Sequence, residues 1–483
     1  MKTYNSFYAH ALSLNAALGS LCYGYLNAVM NPLISYIPEN VYTNIDDSFM
    51  TLTTSLVPAG AAVGAFVISN IAKRIGRRNA MFVTDAVAIL GVVITLIGSP
   101  YCLLIGRLIS GLIVGFNSSL IPLYISEVSP AEIRGVTGSF MNSTGILVSY
   151  LFGLNVPIGH DYSDTKWWWR FMLGFGILLA ISRSIILLVG FRCETPKYLL
   201  ENNKEEEATK ALEKIYHKDQ VAEQLILLKK EKEANAQTGK LSFKDLFSVQ
   251  YRSRLAIGCF LAALQQFSGI NAIIYFSTSI FEDPNDPYSK KPQIYTVILG
   301  VFILLGAIFA TLVVKRFGRH QLLLSGTMVC FIALVILPII GWAAPDAGSV
   351  KKYFIFLFIF GNIFSLCSVV FVYIGEILPD LGIGLATLTM WVSCVIVAQA
   401  FPSLNDGIGP EATFMIFAVI TLAGFFVILK WVPETKGKEP HEIAALFGGK
   451  SVQNANIIDV PSRKGTDSAT DAQSNPEELE AKV

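Results

Sequence analysis

Four polar side chains stand out in one otherwise apolar stretch of the chain, Gln265–Phe281. They are Gln265, Gln266, Asn271 and Tyr275, and hydrocarbon offers no partner to any of them. An amide without a hydrogen bond in an apolar setting costs roughly 1–3 kcal/mol, so these side chains require partners. We interpret the stretch as part of a binding site for a ligand that both donates and accepts hydrogen bonds.

The composition indicates that this stretch belongs to a membrane protein with many spans. Of the 483 residues, 53% are hydrophobic and 15% are charged, whereas soluble chains carry about 25% charged residues. The net charge of +1 gives no basis for nucleic-acid binding. The seven cysteines are widely spaced and predict neither disulfides nor a metal site. Because no nucleophile–base pair or phosphate loop appears, we expect neither an enzyme nor a cofactor.

Twelve apolar segments are long enough to cross a bilayer, which needs roughly 20 residues per helix. They lie near 10–33, 50–71, 80–98, 102–125, 136–157, 171–191, 255–281, 294–314, 321–343, 353–378, 383–402 and 412–432. Lys and Arg concentrate in the connections that follow even-numbered segments. The positive-inside rule therefore predicts that these connections and both termini are cytoplasmic.

A charged linker divides the spans into two sets of six. The predicted order is a cytoplasmic N-terminus at 1–9, a six-helix bundle at 10–191, a cytoplasmic linker with short helices at 192–253, a second six-helix bundle at 254–432 and a cytoplasmic tail at 433–483. From about residue 451 the tail is rich in Ser, Asp and Glu, and this composition predicts disorder.

The two halves repeat three motifs in the same order. The pairs are KRIGRR at 73–78 with KRFGRH at 315–320, ISEVSPAEIRG at 125–135 with IGEILPDLGIG at 374–384, and ETPK at 194–197 with PETKGK at 433–438. Such a repeat indicates a duplicated six-helix unit. Proteins built in this way bind their substrate between the halves, near the middle of the bilayer.

Seven motifs, spread over almost the whole chain, also match a known family. They are IGRRNAMF at 75–82, GRLISG at 106–111, PLYISEVSPAEIRG at 122–135, WR at 169–170, ETPKYL at 194–199, QQFSGINAIIYFSTSIF at 265–281 and PETKGKEPHEI at 433–443. With them the chain resembles the sugar porters of the major facilitator superfamily, most of all the facilitative glucose and hexose transporters. The resemblance implies an all-α membrane protein with the major facilitator fold and twelve transmembrane helices in two pseudo-symmetric halves. It also implies transport of a monosaccharide by alternating access, by a monomer in the plasma membrane.

The resemblance assigns the sugar contacts chiefly to the seventh segment, where Gln265, Gln266 and Asn271 match sugar-contacting positions. Amides suit sugar hydroxyls because each offers two donors and an acceptor. A kink at Ser268–Gly269 would turn them toward the central cavity. The alternative is that these amides only tie the helix to its neighbours.

Elsewhere the chain departs from the family pattern. Asn142 stands where the family has a glutamine, Phe371 where it has a tryptophan and Ile303 where an asparagine is common, while Trp391 lies about one turn before a missing Asn-Trp pair. We therefore expect the seventh segment to carry more of the recognition than in the family. The predicted substrate-binding set is Gln265, Gln266, Asn271, Asn142, Tyr275, Phe371 and Trp391.

Charged residues at the cytoplasmic helix ends form a second predicted set. The resemblance implies that they pair between helices and hold the cytoplasmic side closed while the site faces outward. The alternative is ordinary positive-inside topology with solvated pairs worth about 0–1 kcal/mol each. Ile383 stands where the repeat has Arg134, so one contact is expected to be missing from the second half. The set is Arg77, Arg78, Glu127, Arg134, Glu194, Arg316, Arg319, Glu376 and Glu434.

Whether transport is driven by protons depends on ionisable groups inside the spans. Proton-coupled members of the family carry an aspartate where this chain has Leu26, and leucine takes up no proton, which favours facilitated diffusion. Asp85 and Arg183 lie inside predicted spans, where ionisable residues are functional candidates. Alternatively, both lie near the cytoplasmic ends, with Arg183 snorkelling. A proton-coupled sugar or polyol symporter and a sugar sensor that does not transport stay open as alternatives.

Overall fold

The computed structural model describes residues 4–42, 45–129, 137–157, 167–237, 242–283, 286, 288–344 and 348–447. Their regular structure is helical, apart from one isolated bridge between Tyr4 and Tyr216. Ten helical stretches in these ranges are long and apolar enough to cross a membrane. With α1 and α6, which pack against each other, the described helices are consistent with the predicted twelve spans.

Seven helices form the first half of the protein. They are α1 Ser6–Ala28, α2 Tyr36–Asn40, α3 Asp47–Ile75, α4 Arg77–Thr95, α5 Pro100–Val128, α6 Thr137–Gly153 and α7 Trp168–Val189, with a 3-10 turn at Asn31–Leu33. Helix α3 begins where the Asp46 side chain accepts a hydrogen bond from the Phe49 amide at 2.9 Å, a standard N-cap. It packs closely on α5 because a Cβ on Gly111 would collide with the Val57 carbonyl oxygen.

Three short helices follow the first half, namely α8 Pro196–Glu201, α9 Glu205–Ile215 and α10 Lys218–Gln237. On α9 the apolar side chains Ala208, Ala211, Leu212 and Ile215 are buried, while the acidic first turn is exposed. The Asn5 amide donates to the Ile215 carbonyl oxygen at 2.9 Å, so α9 is bound to the start of α1. We call the end of the bundle that carries α8–α10 the linker face and the opposite end the far face.

The second half contains α11 Arg252–Phe267, α12 Ile270–Ile280, α13 Lys291–Val314, α14 Arg319–Ala343, α15 Gly348–Asn362, α16 Ser368–Ile377, α17 Asp380–Ile408, α18 Pro410–Trp431 and α19 Pro440–Leu446. Two of its spans are broken. One break separates α11 from α12, and a π-helical turn at Ile363–Cys367 joins α15 to α16. The halves pack together through α3 with α17 and α6 with α13, and α12 contacts the turn after α1.

Candidate functional site

The seventh predicted span is interrupted between α11 and α12. Gly269 has a φ of 91°, which glycine adopts far more readily than other residues. A Cβ there would also lie 2.7 Å from a ring carbon of Phe417. Ser268 Oγ donates to the Gln265 carbonyl oxygen at 2.7 Å and accepts from Asn362 Nδ2 at 2.8 Å. The predicted kink is therefore confirmed, and it sets the direction of α12.

Amide side chains from the two sides of the break meet each other. Asn271 Nδ2 donates to Gln266 Oε1 at 2.6 Å and lies 3.1 Å from the sulfur of Cys394 on α17. Gln265, Gln266 and Asn271 are all more than nine-tenths buried. The sequence predicted the three amides as a group. It did not point to Cys394, because a single thiol in an apolar helix is a weak signal.

Two buried polar atoms close to this pair have no hydrogen-bond partner in the described part of the protein. They are Oε1 of Gln265 and Nε1 of Trp391. The Oδ1 of Asn142 also has no partner there, but Asn142 lies against Gly24 of α1 and makes no described contact with this pair. Trp391 lies one turn before Cys394 and contacts Tyr23 of α1, with ring centroids 6.1 Å apart. Leaving a buried donor or acceptor unpaired costs about 1–3 kcal/mol. A ligand rich in hydroxyl groups would offer partners to both the Gln265 oxygen and the Trp391 nitrogen.

Tyr275 joins these groups to the first half. Its hydroxyl donates to Asn27 Oδ1 at 2.8 Å and lies 3.5 Å from the Cys394 sulfur. Asn27 was not predicted, although an amide inside the apolar first span was a usable signal. We name the central cluster by its members from both halves, which are Tyr23, Asn27, Gln265, Gln266, Asn271, Tyr275, Trp391 and Cys394.

Phe371 does not join the central cluster. It lies on α16 with 41% of its surface exposed, whereas the amides and Trp391 are buried. None of the hydrogen bonds or ring contacts described for the cluster involves it. The aromatic residues that the second half contributes to the cluster are Tyr275 and Trp391.

A second group of hydrogen bonds, which we call the far-face latch, joins α12 to the first half. Asn31 Nδ2 donates to the Ile274 carbonyl oxygen at 2.7 Å and to Ser277 Oγ at 2.6 Å, and its Oδ1 accepts from the Thr278 amide at 3.0 Å. The Tyr150 hydroxyl also donates to the Ile274 carbonyl oxygen, at 2.7 Å. These bonds join α12 to the first half on the far-face side of the central cluster.

The family model described as "Sugar (and other) transporter" matches residues 12–447. The glucose transporter GlcP of Staphylococcus epidermidis is 34% identical over 440 residues, which cover 88% of this chain and 94% of that protein. The chain belongs to the sugar transporter family. The facilitated glucose transporter member 2 of Gallus gallus is 30% identical over 472 residues, covering 93% of this chain and 86% of that one.

Solved structures of sugar transporters share the fold. The proton:xylose symporter XylE from E. coli, bound to 6-bromo-6-deoxy-D-glucose, superposes with a TM-score of 0.77 at 23% identity. The match covers 92% of this chain and all of that one. The predicted all-α membrane protein with the major facilitator fold is thereby confirmed.

At the linker face, a network of charged residues braces the first half of this sugar transporter. Arg77 lies 2.8 Å from Glu127 and 3.4 Å from Glu201 of α8. The other Glu127 oxygen accepts from Thr195 Oγ1 at 2.6 Å. Arg77 and Glu127 side chains are 5% and 3% exposed, so this pair is not a solvated one.

The second half repeats the same network at the matching positions. Arg319 lies 2.8 Å from Glu376, which also accepts from Thr435 Oγ1 at 2.6 Å. Glu434 accepts from the backbone amides of Arg319 and His320. Burial alone would raise the pKa of Glu434, but its backbone amide donors lower the pKa below the ordinary value for a glutamate. The carboxylate therefore stays ionised.

The remaining members of the predicted charged set differ in their contacts. Glu194 accepts from the Arg78 and Asn79 amides at 3.1 and 3.0 Å, as Glu434 does in the other half. The Arg78 guanidinium donates to the Phe191 carbonyl oxygen at 2.7 Å. Arg316 is exposed and contributes its carbonyl oxygen to Lys436 Nζ at 2.7 Å. Arg134 lies outside the described residues. The gating role of the set stays a prediction. The ion pairs of this set lie within one half or join the first half to the linker helix α8, and none of them joins the two halves.

Asp85 and Arg183, two ionisable residues inside the spans, form a buried ion pair. Arg183 Nη2 lies 2.6 Å from Asp85 Oδ1, and Arg183 Nη1 donates to Asn117 Oδ1 at 2.7 Å. Ser184 Oγ donates to the second Asp85 oxygen at 2.7 Å. The side chains of Arg183 and Asp85 are 2% and 4% exposed. The alternative of a snorkelling Arg183 is therefore wrong.

We expect Asp85→Ala to destabilise the protein strongly, because it leaves the Arg183 guanidinium buried without a counter-charge. Breaking a buried pair from one side costs about 3–5 kcal/mol, whereas replacing both partners by apolar residues is often neutral. The double variant Asp85→Leu with Arg183→Leu should accordingly unfold at a higher temperature than Asp85→Ala. Thermal unfolding in detergent measures both, and equal stability of Asp85→Ala and the wild type would contradict the prediction.

Proposed function

We propose that this sugar transporter carries a glucose-like hexose across the plasma membrane by facilitated diffusion, as a monomer with both termini in the cytoplasm. The observation that carries the proposal is the central cluster, in which amides and a tryptophan with unpaired polar atoms meet between the halves. Its groups are neutral, which suits a sugar that must be released as well as bound. The relatives named as glucose transporters support the same substrate class.

Alternating access needs two halves that move against each other around the site. We propose residues 10–191 and 254–432 as these moving units, joined by the linker at 192–253. Two features support this division: the charged networks brace each half internally, and the far-face latch connects the halves on one side of the cluster. The described conformation then has the far face closed, and opening of that face requires the latch to break.

The contacts of the charged groups inside the first half favour passive transport over proton coupling. Arg107 of α5 is 2% exposed, and its Nη1 donates to the Leu26 carbonyl oxygen at 3.1 Å. No carboxylate stands at Leu26 to exchange a proton. Asp85 is the carboxylate that would serve a symporter, and it is bound to Arg183, Ser184 and, through the arginine, Asn117. Asp85 could accept a proton for coupled transport only after its ion pair with Arg183 had broken.

Uptake by the purified protein in liposomes tests the proposal. We expect labelled glucose to equilibrate across the membrane at a rate independent of an imposed proton gradient. Accumulation above the external concentration, with collapse of the gradient on addition of sugar, would establish the symporter instead. Binding of glucose without any flux would establish a sensor. A panel of hexoses, pentoses and polyols in the same assay defines the substrate.

The charged network at the linker face gives a separate expected result. Glu127→Ala removes the acceptor of Arg77 and Thr195, so we expect slower transport with normal amounts of protein in the membrane, and the same for Arg134→Ala. Lys204→Ala is a suitable control, because its pair with Glu207 is exposed on α9 and such pairs are worth about 0–1 kcal/mol. Unchanged flux in Glu127→Ala and Arg134→Ala would remove the network from the transport cycle.

A further inference from the structure

A cavity of about 500 Å³ lies at the linker face of the second half, away from the central cluster. It is bounded by the first turns of α11 and α14, the end of α18 and the short α19. Apolar side chains form much of the wall, among them Ile257, Leu429, Trp431 and Phe447. The polar part of the wall includes Ser253, His320, Lys430 and Glu434.

A buried arginine that forms no ion pair within the described residues lies beside this cavity. Arg254 is 8% exposed, and its Nε and Nη2 have no hydrogen-bond partner in the described residues. Its guanidinium carbon lies 5.4 Å from the ring centre of Tyr251 and 5.9 Å from that of Phe447, a cavity residue. A buried cation is costly unless it is paired. The unpaired N–H groups therefore call for an anion at this position.

The surroundings of Arg254 also favour a negatively charged ligand. It lies in the first turn of α11, a helix with no side-chain N-cap, and helix N-termini attract anions through their free amides. Lys430 adds a second cation and packs its amine 4.9 Å from the Trp431 ring centre. The one carboxylate named in the wall, Glu434, is occupied by the backbone amides of Arg319, His320 and Lys436.

The cavity also borders the lipid-facing surface of α18. Leu429 and Trp431 are 52% and 53% exposed, and exposed tryptophan at a helix end is typical of the membrane–water interface. Basic pockets between transmembrane helices at this level are known to hold lipid head groups. We propose that the cavity binds the phosphate head group of an anionic phospholipid, with its acyl chains along α18 and its phosphate at Arg254 and Lys430.

The test compares Arg254→Gln with Arg252→Gln, a matched exposed arginine on the same helical turn. Each protein is placed in phosphatidylcholine nanodiscs with increasing phosphatidylglycerol, and the shift in unfolding temperature is followed. Wild type and Arg252→Gln should show the same saturable stabilisation. Arg254→Gln should need roughly fivefold more anionic lipid for half of the effect, the loss typical of one basic residue near a membrane. Lys430→Gln should also need more anionic lipid for half of the effect. It replaces Arg254→Gln as the test variant if Arg254→Gln does not fold in neutral lipid.

A parallel titration with inorganic phosphate in phosphatidylcholine distinguishes the source of the phosphate group. No saturable shift with phosphate, together with the Arg254-dependent shift with lipid, supports the lipid site. Saturation by inorganic phosphate alone would overturn it in favour of a free anion. Equal losses in Arg252→Gln and Arg254→Gln would also overturn it, because they would indicate diffuse attraction to a charged membrane.

Discussion

Asn271→Ala is expected to weaken sugar binding by roughly 10- to 100-fold. The loss follows from the removal of an amide and from the buried Gln266 oxygen that it leaves without a partner, each worth about 1–3 kcal/mol. Gln265→Ala should act in the same direction, because its Oε1 has no partner within the described protein and is therefore free for a sugar hydroxyl. Sugar binding to purified protein by calorimetry, and the KM of uptake, measure the effect.

The control for these variants is Gln293→Ala. Gln293 lies in the first turn of α13, outside the central cluster, and its Oε1 is likewise buried without a partner. It should leave sugar affinity unchanged. If the amides of α11 and α12 only tie helices together, Asn271→Ala and Gln265→Ala would lower the unfolding temperature and keep near-normal KM values. That outcome would refute their role in recognition.

Asn31→Ala is expected to open the far face. It removes three hydrogen bonds between α12 and the first half, and each such bond contributes about 0.5–1.5 kcal/mol. The equilibrium should shift by at least roughly tenfold toward the far-face-open state. Cys394 reports on this state because its thiol lies in the central cluster below the latch. An impermeant maleimide added at the far face should label it faster in Asn31→Ala.

This labelling is done in a background in which the other six cysteines are replaced by serine. Asn40→Ala is the control, since Asn40 is on the same side of the bundle but its side chain donates to the Tyr36 carbonyl oxygen of its own helix and, among the described residues, to no group of α12. It should label at the wild-type rate. Labelling of Asn31→Ala at that same rate would show that the latch does not hold the far face closed.

The sequence predicted those parts of the site that are local in the chain. Gln265, Gln266 and Asn271 lie within seven residues of each other around a Ser-Gly pair. The sequence therefore predicted both the group of amides and the kink between them. The linker-face networks were readable because the repeat places Arg77 and Arg319, or Glu127 and Glu376, at matching positions. Both kinds of signal depend on short or duplicated sequence. The structure pairs Arg77 with Glu127 and Arg319 with Glu376, while the sugar contacts and the gating role stay predictions.

Contacts between distant segments were not predictable in this way. Tyr275 and Asn27 are 248 residues apart, and the sequence of neither segment indicates that the two side chains are in contact. Asp85 and Arg183 were recognised as unusual charges, but their pairing depends on α4 packing against α7. Phe371 was placed in the site by alignment alone. Its exposure on α16 reflects the direction in which that helix turns it, which a single sequence does not specify.

The duplicated charged networks also have a consequence for how the chain is made. Every member of the first network lies between Arg77 and Glu201, and every member of the second between Arg319 and Thr435. Domains generally fold as units during synthesis, the N-terminal one first. The first bundle can therefore complete its own bracing contacts while the ribosome is still translating the second. Folding of the first half then does not depend on residues of the second half.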